Sequence, residues 1–229
     1  MKHKKALVVF SGGQDSTTCL GWALKRFSEI ETITFDYGQR HRVEIDQAKL
    51  IAQKLGVQNT LFEMDTFAKL SDSALVNKEQ DINRPHSANT TLPASYVPNR
   101  NALMFTVAHA YAQKIEANHL VTGVCESDYS GYPDCRQEFV QSLERSLNLG
   151  SNRDIEFHYP LMFLDKADTF ALAKKEGVLD VVIDMSHTCY NGDRKNLHEW
   201  GYGCGDCPAC KLRENGWIEY KRRRVDACS

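Results

Sequence analysis

Short apolar runs alternate along the chain with windows in which apolar residues recur every three or four positions. Ala6-Leu7-Val8-Val9-Phe10 is an unbroken apolar run of strand length, the pattern of a strand covered on both faces. Leu20, Ala23, Leu24 and Phe27 then share one helical face, and Glu31-Thr32-Ile33-Thr34-Phe35 reads as a second strand. The unit repeats, with Ala48, Ile51, Ala52 and Leu55 on a helix that Gly56 stops, followed by Thr60-Leu61-Phe62 as a third strand. The clearest stripe, Met104, Val107, Ala108, Tyr111, Ala112 and Ile115, leads into a fourth strand at His119 to Gly123. Phe139, Val140, Leu143 and Leu147 mark another helix, Ile155 to Tyr159 a fifth strand, and Asp165 to Glu176 a capped last helix ahead of Gly177. Strands alternating with helices predict an α/β fold, an open parallel sheet with helices on both faces.

Two stretches break this rhythm. Asp65 to Pro98 has weak periodicity, with Pro85, Pro93 and Pro98 among small polar residues, and predicts a long loop of the kind that often serves as a lid. From Ser186 onward the chain turns to Cys, Gly, Asn and basic residues with few aliphatics, which predicts a small appended module. The expected division is a main domain over 1–185 and a C-terminal segment over 186–229, a size that suits 229 residues of which 42% are hydrophobic.

Charge narrows the partners. The 28 Lys and Arg against 30 Asp and Glu sum to −2, so no bulk positive field is present to hold a polyanion, and direct nucleic-acid binding is not expected. The basic start Met1-Lys2-His3-Lys4-Lys5 is followed by too short an apolar run for a signal peptide, and charged residues interrupt every apolar stretch before membrane-spanning length. The expectation is a cytoplasmic protein without a membrane partner, in which thiols stay reduced and clustered cysteines mean metal or catalysis.

The first strand runs into Ser11-Gly12-Gly13-Gln14-Asp15-Ser16-Thr17-Thr18. A strand-to-helix junction offers unpaired amides and the positive end of a helix dipole, and two glycines let phosphate oxygens approach the backbone. Neither the Gly-Lys-Ser/Thr ending of a Walker loop nor G-x-G-x-x-G is present. A plain capped Gly-Gly turn would explain an isolated Ser-Gly-Gly, but the full string resembles the pyrophosphate loop of the N-type ATP pyrophosphatases, which split ATP to AMP and pyrophosphate. That resemblance implies an adenine-nucleotide-hydrolase-like, Rossmann-like sheet and an ATP segment of Phe10, Ser11, Gly12, Gly13, Gln14, Asp15, Ser16, Thr17, Thr18, Cys19 and Leu20. Ser11, Asp15 and Lys166 are the candidate catalytic residues, with Asp15 the contact for a phosphate-bridging Mg²⁺, which prefers carboxylate oxygens. Lys166 directly follows the cap Asp165, where a cation opposes the helix dipole; a solvated lysine and an anion ligand are balanced on charge placement alone. The basic residue that the family often uses here favours the anion ligand.

Cys204, Cys207 and Cys210 form Cys-x-x-Cys-x-x-Cys, with Cys189 upstream. Four thiolates complete a tetrahedral zinc site with no open position, hence a structural one, of one Zn²⁺ per chain. Iron–sulfur ligation is the competing reading. His187 and His198 are expected as solvent or loop histidines, Cys19 as a small core residue, and Arg222-Arg223-Arg224 as a solvated tail.

Three polar, aromatic stretches fall just beyond predicted strand ends: Asp36-Tyr37-Gly38-Gln39-Arg40-His41, Val97-Pro98-Asn99-Arg100-Asn101, and Glu126 through Arg136. Ligands bind at such positions in open α/β sheets. Together these stretches predict stacking groups in Tyr37, Tyr129 and Tyr132, carboxylates for an amino-pyrimidine edge in Asp128 and Asp134, and cations for an acidic substrate in Arg100 and Arg136. With the loop and the cysteine tail, these motifs resemble, in order and over nearly the whole chain, the 7-cyano-7-deazaguanine (preQ0) synthase family of queuosine biosynthesis. The one departure is the stretch between Cys189 and Cys204, longer than the family's usual spacing. The resemblance implies a ligase that joins 7-carboxy-7-deazaguanine and ammonia at the expense of ATP, through an acyl adenylate and an amide, to give a nitrile; a homodimer stays open. Two alternatives stand beside it: a tRNA thiolase or lysidine-type ligase using Cys125 and Cys135, and a zinc module that binds nucleotide without turnover.

Overall fold

The computed structural model describes residues 4–39, 42–64, 97–127 and 132–226. Most of the expected 65–98 loop, together with Arg40, His41, Asp128 and Tyr129, lies outside the described residues. Five strands, β1 (Lys5–Val9), β2 (Glu29–Asp36), β3 (Gln58–Glu63), β4 (His119–Val121) and β5 (Glu156–His158), form one sheet in the order β3-β2-β1-β4-β5. All four pairings are parallel, with Ala6 opposite both Ile30 and His119.

The apolar run of β1 is explained by its place at the centre. Ala6 and Val8 pack on one face with Leu20 and Ala23 of α1 (Gln14–Leu24) and Ile51 of α2 (Val43–Lys54). Leu7 packs on the other with Phe105 and Ala108 of α3 (Arg100–Lys114) and Val140 of α4 (Gln137–Ser151). Helices therefore cover both faces, as the alternation predicts. The expected elements form within a few residues of their predicted bounds, and Asp165 caps α5 (Lys166–Glu176) by accepting from the Asp168 amide at 2.8 Å.

The C-terminal third departs from expectation. α5 is not the last helix: α6 (Leu179–Met185) and the 19-residue α7 (Pro208–Asp226) follow, with a small hairpin, β6 (Leu197–His198) and β7 (Gly201–Tyr202), between them. α7 escapes a hydropathy pattern because its buried positions are Ala209, Cys210, Arg213, Gly216 and Tyr220, helically spaced but not aliphatic. It packs on α5 through Phe170, Trp217 and Tyr220, in one apolar cluster with Cys189, Cys207 and Cys210. The three arginines are its last turns and not a free tail; Arg223 pairs with Asp165 at 2.6 Å and Asp168 at 2.8 Å. No described helix is long and apolar enough to cross a membrane.

Candidate functional site

In the order β3-β2-β1-β4-β5 the chain reverses its direction of travel between β1 and β4, and a crevice opens at their carboxyl ends. A cavity of about 320 Å³ lies there, in the range of small-ligand clefts. One side is the glycine loop. Phe10 is tied to β2 by its amide, which donates to Ile33 O, and by its carbonyl, which accepts from Thr34 Oγ1. The chain then turns through Gly12 at φ +78°, where a Cβ would lie 2.7 Å from the Ala48 amide nitrogen and 2.8 Å from Glu44 O. Only glycine meets both demands, and this contact of the loop with α2 sets how it enters α1.

The amides at the head of α1 are loosely held. Gly13 N reaches Ser11 Oγ at 3.4 Å, Gln14 N reaches Thr188 Oγ1 at 3.4 Å, and Ser11 N reaches Ser16 Oγ at 3.3 Å. No side chain caps the helix. Bonds of this length are weak, so the donors and the helix dipole are available to an anion. Arg213, fully buried, supports the loop from behind by donating to Thr188 Oγ1 at 3.2 Å and Val182 O at 2.7 Å; burial lowers its guanidinium to about 10.

Asp15 and Lys166 meet across this opening, Nζ to Oδ2 at 2.7 Å, with the lysine 13% and the aspartate 30% exposed. The second oxygen, Asp15 Oδ1, is buried without a hydrogen-bond partner, as is Gln14 Nε2. Buried polar atoms rarely stay unpaired, and these two border the cavity that a ligand would fill. A glycine at 216 makes room for the pair, while Gly123 lies in ordinary contact with it. At Gly123, beyond β4, a Cβ would lie 3.4 Å from the Asp15 carbonyl carbon, and at Gly216 of α7 a Cβ would lie 2.4 Å from Lys166 Cβ.

The opposite wall is aromatic and cationic. Arg100 heads α3, so like Lys166 it opposes its helix dipole, and it lies 5.8 Å over the Tyr132 ring and donates to the Tyr37 hydroxyl. Burial acts against its charge, but facing Tyr37, Tyr132 and Asp134 outweigh it and hold the guanidinium firmly protonated. Burial pushes the Tyr37 phenol up to about 12 and the Tyr190 phenol higher. Glu44, at the start of α2, borders the same space; burial raises its carboxyl to about 7, against the pull of Arg100.

The structure thus gathers Ser11, Gly13, Gln14, Asp15, Tyr37, Arg100 and Tyr132 around one cavity, with Lys166 bonded to Asp15. Other expected residues fall elsewhere. Thr18, Cys19 and Leu20 are fully buried behind the loop, where Thr18 Oγ1 donates back to Gln14 O. Asp134 anchors the head of α3, accepting from Asn101 N at 3.0 Å, and Arg136 is exposed outside the cavity at the cap of α4. Glu44, His187, Thr188 and Tyr190 also border the cavity. Only Glu44 carried a local signal, an acid in a helical first turn after a predicted strand end.

The four cysteines converge closely enough to hold a metal ion. The four Sγ atoms lie within 4.8 Å of one another, with Cys204 to Cys210 at 3.9 Å and Cys189 to Cys207 at 4.0 Å. Tetrahedral zinc with bonds of about 2.3 Å sets S···S near 3.8 Å. Cys189 therefore joins the quartet despite its long spacer. The Asp206 and Cys207 amides donate to Cys204 Sγ, and hydrogen bonds from Cys207 and Cys210 hold the Cys189 thiol well below its usual range. A Cβ at Gly203 would lie 2.6 Å from Cys210 Sγ. Of the two histidines, His187 lies in a loop as expected but is buried, with Nε2 against Cys189 O, and His198, in the hairpin, stacks on Trp200 at 4.4 Å with Nε2 against Gly203 O.

Comparison with known proteins places this architecture. The family model described as queuosine biosynthesis protein QueC matches residues 5–221. A 7-cyano-7-deazaguanine synthase of Wolinella succinogenes is 64% identical over 222 residues, covering 96% of this chain and 95% of that protein. One of Helicobacter pylori is 48% identical over 225 residues, covering 98% and 100%. Among solved structures, a 4-thiouridine synthetase in complex with RNA and ATP shares the fold, with a TM-score of 0.53 and 21% identity over 79% of this chain and 42% of that one.

Proposed function

The chain belongs to the QueC family of queuosine biosynthesis proteins, and from that premise we propose how its cleft carries out the reaction its relatives are named for. It is an ATP-dependent ligase that makes 7-cyano-7-deazaguanine from 7-carboxy-7-deazaguanine and ammonia. The observation that carries the reading is the single cavity that sets the open amides of the glycine loop opposite Tyr37, Arg100 and Tyr132. A carboxylate does not react with ammonia until an oxygen becomes a leaving group. Transfer of AMP to it expels pyrophosphate, whose charge develops against the loop amides and Lys166. Ammonia then displaces AMP and gives the amide. Adenylation of the amide oxygen by a second ATP, and loss of AMP with the remaining N–H protons, leaves the nitrile.

Asp15 suits an Mg²⁺ that bridges phosphates, since its unpartnered Oδ1 is a hard oxygen at the loop. The tyrosine rings suit the flat base and Arg100 its carboxylate. The cysteine quartet suits zinc, with all four ligands supplied by protein and a structural task. Incubation with ATP, Mg²⁺, ammonium and 7-carboxy-7-deazaguanine is expected to release AMP and yield the nitrile by mass spectrometry. AMP release that does not depend on the acid would overturn the assignment. The thiolase alternative is disfavoured by kinship and not by geometry: Cys125 and Cys135 both border the cavity, but the chain belongs to the QueC family and its relatives are 7-cyano-7-deazaguanine synthases.

Glu44 is a cleft group whose carboxyl is raised to about 7, and its carboxylate form can take a proton from the attacking nitrogen. At a fixed concentration of free ammonia, the kcat/KM profile should therefore rise with pH through about 7. In Glu44→Gln that limb should vanish; a limb unchanged in the variant refutes the role. The same raised value makes the protonated carboxyl the stabilising form. Its contribution is complete below the ordinary carboxylate range and is lost as pH rises towards 7, so Glu44→Gln should flatten the decline in Tm across that window.

Gly216→Ala should press α7 away from α5 at Lys166. A displacement of this kind costs on the order of tenfold to a hundredfold in kcat/KM. Wild-type kinetics with only a lower Tm would show that Gly216 serves stability alone.

A further inference from the structure

Away from the cleft, at the rim formed by β4 and the edge strand β5, two histidines and a glutamate bring three ligand atoms together. His119 Nδ1 lies 3.1 Å from His158 Nε2 and 3.4 Å from Glu156 Oε2, and His158 Nε2 lies 3.8 Å from the same oxygen. The pairing of the strands makes this possible, because His119 stands opposite Glu156 and His158 two residues further along on the same face. None of the three lines the cavity, and none belongs to the cysteine quartet.

A hydrogen bond satisfies the two rings but leaves no proton for their approach to Glu156 Oε2. Only one proton can sit between the two facing ring nitrogens. Whichever nitrogen lacks it turns a lone pair towards the other ring and a carboxylate oxygen. Protonating both rings would relieve the glutamate but set two cations side by side. Burial, with Lys4 nearby, moves both rings away from the charged form, despite Glu156. The side chains are held in place: Phe27 packs on His119 at 4.8 Å and on His158 at 5.5 Å, and Trp22, whose ring lies 4.5 Å from the Arg26 guanidinium, packs on His158 at 5.5 Å.

A metal ion would satisfy all three atoms. The point equidistant from them lies about 2.0 Å from each, the bond length of zinc to imidazole and carboxylate. We propose that His119, Glu156 and His158 form a second metal site, for a first-row divalent ion of the zinc class. Two imidazoles and one carboxylate suit zinc, cobalt, nickel or copper and not Mg²⁺ or Ca²⁺, which take oxygen. Glu156 is 64% exposed, against 15% and 19% for the histidines, so water completes the coordination from that side. The ion ties the edge strand β5 to β4 and, through the packed rings, to the end of α1.

The test uses the full chain as purified, with its cysteine site filled, and Co²⁺ as the probe. One further Co²⁺ per chain is expected, with the visible bands of nitrogen and oxygen ligation and without the thiolate charge-transfer absorption that a cysteine site gives. His158→Gln and Glu156→Gln should each weaken its binding at least tenfold and leave the cysteine-bound metal in place. Zn²⁺ should displace the cobalt and raise the Tm of the wild type but not of His158→Gln. Absence of a further ion, or binding equally tight in both variants, overturns the site. Because the readout is a metal count and a spectrum, the result is independent of catalytic activity.

Discussion

Lys166→Ala is expected to lower kcat/KM for ATP by about 10²- to 10³-fold, the range found when one preorganised donor to a developing charge is removed, with circular dichroism and metal content unchanged. Two features make the effect large. Lys166 is only 13% exposed and 2.7 Å from Asp15, so its charge acts where solvent screening is weak. It also opposes the dipole of the helix it heads, which argues that the position is held for the ligand and not for the helix. Asp15→Asn keeps the shape and removes the charge. It should likewise suppress turnover and raise the Mg²⁺ concentration needed for half-maximal rate, whereas an unchanged Mg²⁺ requirement would separate Asp15 from the ion. Near-normal rates in both variants would remove the loop from the chemistry.

The other large effect is expected at the cysteines. Cys207→Ser should leave the chain without its tightly bound metal and melt the packing of α7 and the β6–β7 hairpin against α5. At free metal a thousandfold above Kd, binding contributes about 4 kcal/mol to folding. For a chain of this size that corresponds to a Tm about 8–16 °C lower. The loss should propagate to the cleft, since Thr188 and Tyr190 flank Cys189 and border the cavity. Elemental analysis should find one zinc per wild-type chain by way of this quartet; iron with visible absorbance would overturn zinc. A Cys207→Ser protein that keeps both metal and Tm would show that the four thiols do not act together.

What could be read along the chain was local in origin. The Ser-Gly-Gly loop announces an anion site because a strand end, two glycines and a helix start are neighbours in sequence. Cys-x-x-Cys-x-x-Cys announces a metal because one turn brings the thiols together. The alternation of apolar runs and amphipathic windows likewise sufficed for the α/β class, since each period belongs to one element. α7 stayed hidden because its buried stripe is Ala209, Cys210, Arg213, Gly216 and Tyr220, which no hydropathy pattern separates from a loop.

The site's other half was a matter of topology. Asp134 has the composition of a substrate contact, and it holds the head of α3 instead. Glu44 looks like an ordinary first-turn acid, yet it stands in the cleft with a carboxyl raised to about 7. His187 and Tyr190 reach the cavity only because the cysteine-bearing segment folds back beside it. By itself the sequence determined the fold class and marked out the glycine loop and the four cysteines, all written within a few consecutive residues or one helical or strand period. Tertiary structure alone decided which charges face each other, how deeply they are buried and therefore how they titrate, because burial and Coulomb interactions depend on distance in space and not along the chain.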